Sequence, residues 1–171
     1  MLRALLWILA LGLVGWSVWI WPGLPAEIPL HSDLDGRPTR TGAPTFIGWM
    51  VLPLIGIGLA ALLDGVGWWA VRNPEKRTLN LPQSDAIMAL PVERRVPVLR
   101  TAAAMSHGIG AILLLAFACF QVEMYVAAHG GSSQGWTLAG LAVSLLSSLV
   151  GVVGGMVAVS AELDRQKQAV A

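Results

Sequence analysis

Four long apolar stretches constrain this chain more than any other feature: about residues 4–21, 45–71, 101–128 and 136–160. Each meets or approaches the ~20 residues that a helix needs to cross a ~30 Å hydrocarbon core. Inside lipid the backbone must satisfy its own hydrogen bonds, so each stretch is predicted to be a helix. The composition points the same way. Hydrophobic residues make up 56% of the chain and charged ones 12%, about half the share in an average soluble domain. That excludes a soluble globule with an ordinary polar surface, and it excludes a disordered chain. The expected fold is an all-α integral membrane protein, a single membrane domain over residues 1–171 with four transmembrane helices.

The first stretch follows Met1–Arg3 and has the outline of a secretory leader. A small-x-small cleavage site is missing after it, where the chain reads Trp19-Ile20-Trp21-Pro22. A retained anchor is therefore expected. The basic residues then set the orientation. Arg3, Arg72, Lys76, Arg77, Arg94, Arg95, Arg100, Arg165 and Lys167 fall at one set of helix ends, and only Arg37 and Arg40 at the other. This places both termini, the loop 72–100 and the tail 161–171, read as a frayed helix end, on the cytoplasmic side of a bacterial plasma membrane. The loop 22–44 and the turn 129–135 are then extracytoplasmic. The eight tryptophans are read as interfacial anchors.

The outer loop has a pattern of its own. Asp35-Gly36 is a tight-turn dipeptide, and Ile28–Leu34 and Arg37–Thr41 flank it as a short hairpin. Pro29 and Pro38 each remove a ladder donor and keep the strands short. Pro44 suits the first turn of the second helix. Leu24-Pro25, Ile28-Pro29, His31, Gly36, Pro38 and Gly42, followed by an apolar helix with Leu52-Pro53, resemble the family first recognised in the amino-terminal part of SdpI-type immunity proteins. That family is a bacterial membrane domain of unknown function, number sixteen forty-eight. Asn73-Pro74 and Ala89-Leu90-Pro91-x-Glu93-Arg94 are similar to its small membrane proteins, so the resemblance covers roughly residues 5–125. It implies a membrane fold, a bacterial plasma membrane and an immunity role. Nothing after Ala128 resembles the further carboxy-terminal domain of the full immunity proteins.

Polar residues inside the spans carry the candidate chemistry. Asp64 lies eight residues before Arg72, and His107 seven after Arg100. At 1.5 Å per residue both sit roughly 10–12 Å from the basic helix ends, at matching depth on antiparallel helices. An ionised side chain at mid-bilayer costs about 2.5–3.5 kcal/mol on insertion scales, so an Asp64–His107 pair is expected. It is read as a clasp between helices in preference to a proton relay. Glu123 is rotated about 160° from His107 on the same helix, and is expected to meet Arg37, Arg40, His31 or a partner protein. His31, Asp33, Glu123 and His129 are the weakest candidates, as ligands for a zinc-like ion. Their spacing matches no ligand motif, so no metal is expected.

The fourth stretch carries two ridges of small residues, Gly140, Ser144 and Ser148, and Ser147, Gly151 and Gly155. Such ridges let helices approach closely. They suit packing within the bundle, with a partner interface or a homodimer as the alternative. In the loop 72–100, Ser84 or Asp85 is expected to cap a short helix through Leu90. Pro91 suits the next first turn, and Pro97 should kink the lead-in to the third span. Arg94, Arg95 and Arg100 are expected beside lipid head groups. Pro53 should kink the second helix.

A phosphate-binding glycine loop, a Gly-x-Ser-x-Gly elbow and a His-Glu-x-x-His are all missing. The single cysteine, Cys119, has no neighbouring base and is read as a core residue. A net charge of +1 gives no field for nucleic acid. The expected protein is not an enzyme and needs no cofactor. Its partners would be membrane lipids and other integral membrane subunits, in an accessory or scaffold role. An immunity or envelope-signalling protein and a proton- or metal-coupled carrier are the alternatives.

Overall fold

The computed structural model describes residues 1–32, 38–77, 83–131 and 134–169. In chain order these form α1 (Leu2–Ile20), a 3-10 turn at Trp21–Gly23, β1 (Ile28–Ser32), β2 (Pro38–Gly42), α2 (Phe46–Arg72), α3 (Ser84–Met88), α4 (Val92–Ala128) and α5 (Gln134–Gln168). Four of the helices, α1, α2, α4 and α5, are long and apolar enough to cross a membrane. The chain is a multi-pass membrane protein.

The second span starts later than Pro44. Thr45 is the N-cap of α2, and its Oγ1 accepts a hydrogen bond from Gly48 N at 3.1 Å. The threonine satisfies a backbone donor that a helix start would otherwise leave open. Pro53 is buried within α2, which runs through it to Arg72 without interruption. The third span starts far earlier than residue 101. Pro91 is the N-cap of α4, with Glu93 in its first turn, and Pro97 is absorbed in the continuous helix. Gln83, and not Ser84 or Asp85, is the N-cap of α3, without a side-chain capping bond.

α4 is the central post, packed against α1, α2 and α5. Midway along it, Leu6, Ala10, Leu13, Ala60 and Leu114 form a core between α1, α2 and α4. Gly110 makes this closeness feasible. A methyl group there would sit 2.8 Å from the side chains of both Leu6 and Leu63, closer than carbon atoms pack. Nearer the hairpin, Ile20, Trp49 and Met50 close a second core with Trp16, Met124 and Tyr125 around it.

The hairpin pairs β1 and β2 antiparallel, Ile28 opposite Gly42 and His31 opposite Arg40, with irregular register on either side of His31. Thr39 Oγ1 donates to the His31 carbonyl across the strands at 3.3 Å. The proposed turn at Asp35-Gly36 lies outside the described residues. Ile28 is buried and β1 touches α4, so the hairpin folds back onto the bundle.

A third core lies at the opposite, basic end. The chain from residue 161, expected as a frayed helix end, continues α5 as helix to Gln168. Val159 and Leu163 of α5 are buried against Ile87, Leu90, Val98 and Ala102. Charged residues surround the apolar stripe, so the packing does not stand out in the sequence. Gln83 Nε2 donates to Ser160 Oγ at 2.9 Å, and Arg94 to Gln166 Oε1 at 3.3 Å. Arg95 donates to the carbonyls of Leu90, Met88 and Pro74 at 2.8, 2.7 and 3.3 Å. Its fork of donors organises the α3–α4 connection, which replaces the head-group position expected for it.

Candidate functional site

Two polar knots tie α1, α2 and α4 together, one near each end of the bundle. The first is centred on Asp64. On α1, Arg3 and Trp7 are four residues apart and so lie one turn from each other on one face. On α2, Asp64 is buried in a stripe with Ala60 and Gly67. On α4, His107 is buried in a stripe with Ala103, Gly110 and Ala111.

These stripes converge on one carboxylate. Arg3 Nε lies 2.7 Å from Asp64 Oδ1, and Arg3 Nη2 lies 3.0 Å from Oδ2. Trp7 Nε1 donates to Oδ2 at 3.1 Å, and His107 Nε2 is 3.1 Å from Oδ1. An ionised carboxylate only accepts hydrogen bonds, so His107 Nε2 carries the hydrogen. A carboxylate offers about four lone-pair positions, and the four donors use them. The bidentate guanidinium is the strongest of these contacts in kind. Asp64 is a saturated junction between three helices, not a free base.

The knot forms the floor of a pocket of about 600 Å³ lined by Arg3, Asp64, Trp68, Arg72, Arg100 and His107, among others. Arg3 reaches across it with 61% of its side chain exposed, against 11% for Asp64.

The second knot is neutral. Trp49 Nε1 of α2 donates to the Ser17 carbonyl of α1 at 3.1 Å, and Gln121 Nε2 of α4 donates to the Trp49 carbonyl at 3.2 Å. All three residues are fully buried. Gln121 Oε1 and Ser17 Oγ have no partner among the described residues.

The structure thus brings Asp64 and His107 together and adds Arg3 and Trp7, whose positions near the helix end suggest a place at the membrane surface. Trp7 and Trp49 are not interfacial anchors. Their indole N–H groups point inward onto buried acceptors. The available signal was the stripe 3, 7, 10 and 17 on the first helix, which mixes polar with apolar residues.

The remaining candidates stand apart. Glu123 is half-buried and makes no ion pair or hydrogen bond among the described residues. Helical spacing puts it on the stripe of Met105, Ile109, Ile112 and Cys119, the side of α4 that α5 covers. His129 Nδ1 donates to the Tyr125 carbonyl at 2.8 Å, and His31 is exposed in β1. Asp33 and Arg37 lie outside the described residues. Among the described residues, His31, Glu123 and His129 form no group able to share a metal ion.

Gly140, Gly151 and Gly155 of α5 face α4, where added methyl groups would meet Phe120, Ile109 and Met105. Ser144 Oγ bonds back to the Gly140 carbonyl at 2.8 Å, and Ser144 and Ser148 are half-buried. The Ser147 side chain is not among those described. The small residues serve the α4–α5 contact.

Comparison with known proteins adds one finding. Residues 8–57 match the family model of the Domain of unknown function (DUF1648). The DUF1648 segment takes in most of α1, the hairpin and the first part of α2. It is the family that the Pro, Gly and His pattern of the outer loop resembles. The segment includes Ser17 and Trp49 of the neutral knot, and it ends before Asp64. No curated protein and no solved structure matches the chain.

Proposed function

We propose that this is a non-enzymatic protein of the bacterial plasma membrane, with both termini and the 72–100 connector in the cytoplasm and the hairpin outside. In this reading it serves as an accessory or scaffold subunit that packs against a larger membrane complex. The observation that carries the reading is the placement of α5. It packs along α4, outside the knotted three-helix bundle. Only 6% of its most apolar window is buried, against 28% for each of the other three spans. Leu145, Leu149 and Val153 are exposed along it. A helix held on one stripe leaves the rest of its circumference for lipid or a neighbouring span, and dispersion and packing govern that choice.

Photo-reactive residues at Leu145, Leu149 and Val153 test this in native membranes, with Leu62 of α2, also exposed, as the comparator. The expected result is a protein adduct from the α5 positions and lipid adducts from Leu62. Lipid adducts from every position, with a lone monomer on mild extraction, overturn it. Reporter fusions after Gly42 and after Arg77 test the orientation and should report opposite sides.

An SdpI-like immunity or envelope-signalling role is the second reading. It draws support from the DUF1648 segment, which contains the whole hairpin. It requires that a deletion strain become more sensitive to secreted peptides. Proton- or metal-coupled carriage fits less well. Asp64 already accepts from Arg3, Trp7 and His107, so it has no acceptor position left for a cargo ion.

A further inference from the structure

The pocket above Asp64 is chemically unbalanced. Its wall carries three arginines, Arg3, Arg72 and Arg100, and one carboxylate, Asp64. Arg3 is paired with that carboxylate, and the carboxylate has no acceptor position left for the other two. Arg72 lies over the Trp68 ring, 4.8 Å from its centroid. That contact orients the guanidinium and leaves its charge uncompensated. Arg100 is exposed and makes no hydrogen bond or ion pair among the described residues. Among the described residues, two guanidinium charges therefore face one cavity without a counter-charge.

The setting selects the anion. Arg72 ends α2, and Arg100 immediately precedes the apolar part of α4, so the pocket sits at the level where a bilayer changes from hydrocarbon to head group. Its remaining wall includes Leu2, Val71 and Ala104, which offer apolar surface to glycerol and the first acyl carbons. A volume of about 600 Å³ is far larger than one phosphate needs and is in the range of cavities that hold small amphiphiles. Guanidinium forks match phosphate oxygens in pairs, and basic pockets between spanning helices hold lipid head groups in the same manner.

We propose that this pocket binds the phosphate group of an anionic membrane lipid, held by Arg72 and Arg100 above the Arg3–Asp64–His107 floor. The proposal stands whether or not a partner packs on α5.

Native mass spectrometry of the delipidated full-length protein tests it. Phosphatidylglycerol, phosphatidylcholine of the same chain length and inorganic phosphate are added separately. One phosphatidylglycerol should be retained per protein, about tenfold or more in preference to phosphatidylcholine. The double variant Arg72→Gln/Arg100→Gln removes the charge, and Ala104→Phe fills the space while keeping the charge. Each should lower retention about tenfold or more. Arg165→Gln removes one charge from the same end of the molecule outside the pocket, and should change retention less than about twofold. If the double variant fails to fold, Ala104→Phe decides. Equal retention of phosphatidylcholine overturns the proposal, as does an equal loss in Arg165→Gln. Uptake of inorganic phosphate without any preference for phosphatidylglycerol also overturns it, in favour of a free-anion site.

Discussion

The two knots bind the same three helices by opposite means. Near the basic end, an acid is surrounded by four donors from α1 and α4 and opens onto a pocket. Near the hairpin, a tryptophan and a glutamine each donate one hydrogen bond to a backbone carbonyl, fully buried. The glutamine oxygen has no partner among the described residues. A neutral amide half-satisfied in lipid is tolerable, because hydrogen bonds there average only about 0.6 kcal/mol. A carboxylate half-satisfied is not, since burying an unpaired charge is far more costly. The contrast separates a contact that needs only good packing from one that needs complete electrostatic closure. Part of the neutral knot falls in the DUF1648 segment, and the charged knot falls wholly outside it.

The comparison can be broken most forcefully at Trp49. Trp49→Ala removes one of the largest fully buried side chains and should cost about 3–5 kcal/mol, read from reversible unfolding in mixed detergent. If the loss is smaller than that of any change at the charged knot, packing does not dominate the hairpin end. Next comes Arg3→Leu, which leaves Asp64 with the Trp7 and His107 donors and an empty pair of acceptor positions. A loss of about 1–3 kcal/mol is expected, and Asp64→Asn in the same chain should restore part of it. An unchanged midpoint in Arg3→Leu would show that the guanidinium is dispensable. The double-mutant cycle of Asp64→Asn and His107→Ala should give a coupling of about 0.5–1.7 kcal/mol. Strict additivity of the two changes would mean that the 3.1 Å contact carries no energy. Gln121→Leu should have the smallest effect, about 0.6 kcal/mol, because half of its amide is unpartnered already. A large loss there would erase the distinction between the knots.

The spans were legible because a run of apolar residues admits few other structures, and their ends were not. Glu93 to Arg95 read as a first turn set apart from the third span, and Glu162 to Lys167 as a frayed helix end, yet both lie in helices continuous with the apolar stretches. Charge tells where the hydrocarbon ends, not where the helix ends. Asp64 and His107 could be matched by depth alone. Arg3 could not, because its long side chain reaches inward from the helix terminus, well away from the depth of its own backbone. The tryptophans were read by residue type, and only packing distinguishes an anchoring indole from Trp49, which donates to α1 across the core. The unbalanced pocket was hidden for the same reason. Arg72 and Arg100 are ordinary basic flanks until three helices bring them around one cavity.

The Arg3–Asp64 contact also bears on how the chain enters its bilayer. Synthesis delivers α1 and then α2, and His107 follows Asp64 only 43 residues later. Arg3 and Trp7 have by then already been made. The acid of the second span is therefore accompanied from the outset by its own cation and indole, and the imidazole completes an arrangement that is electrically neutral before it arrives.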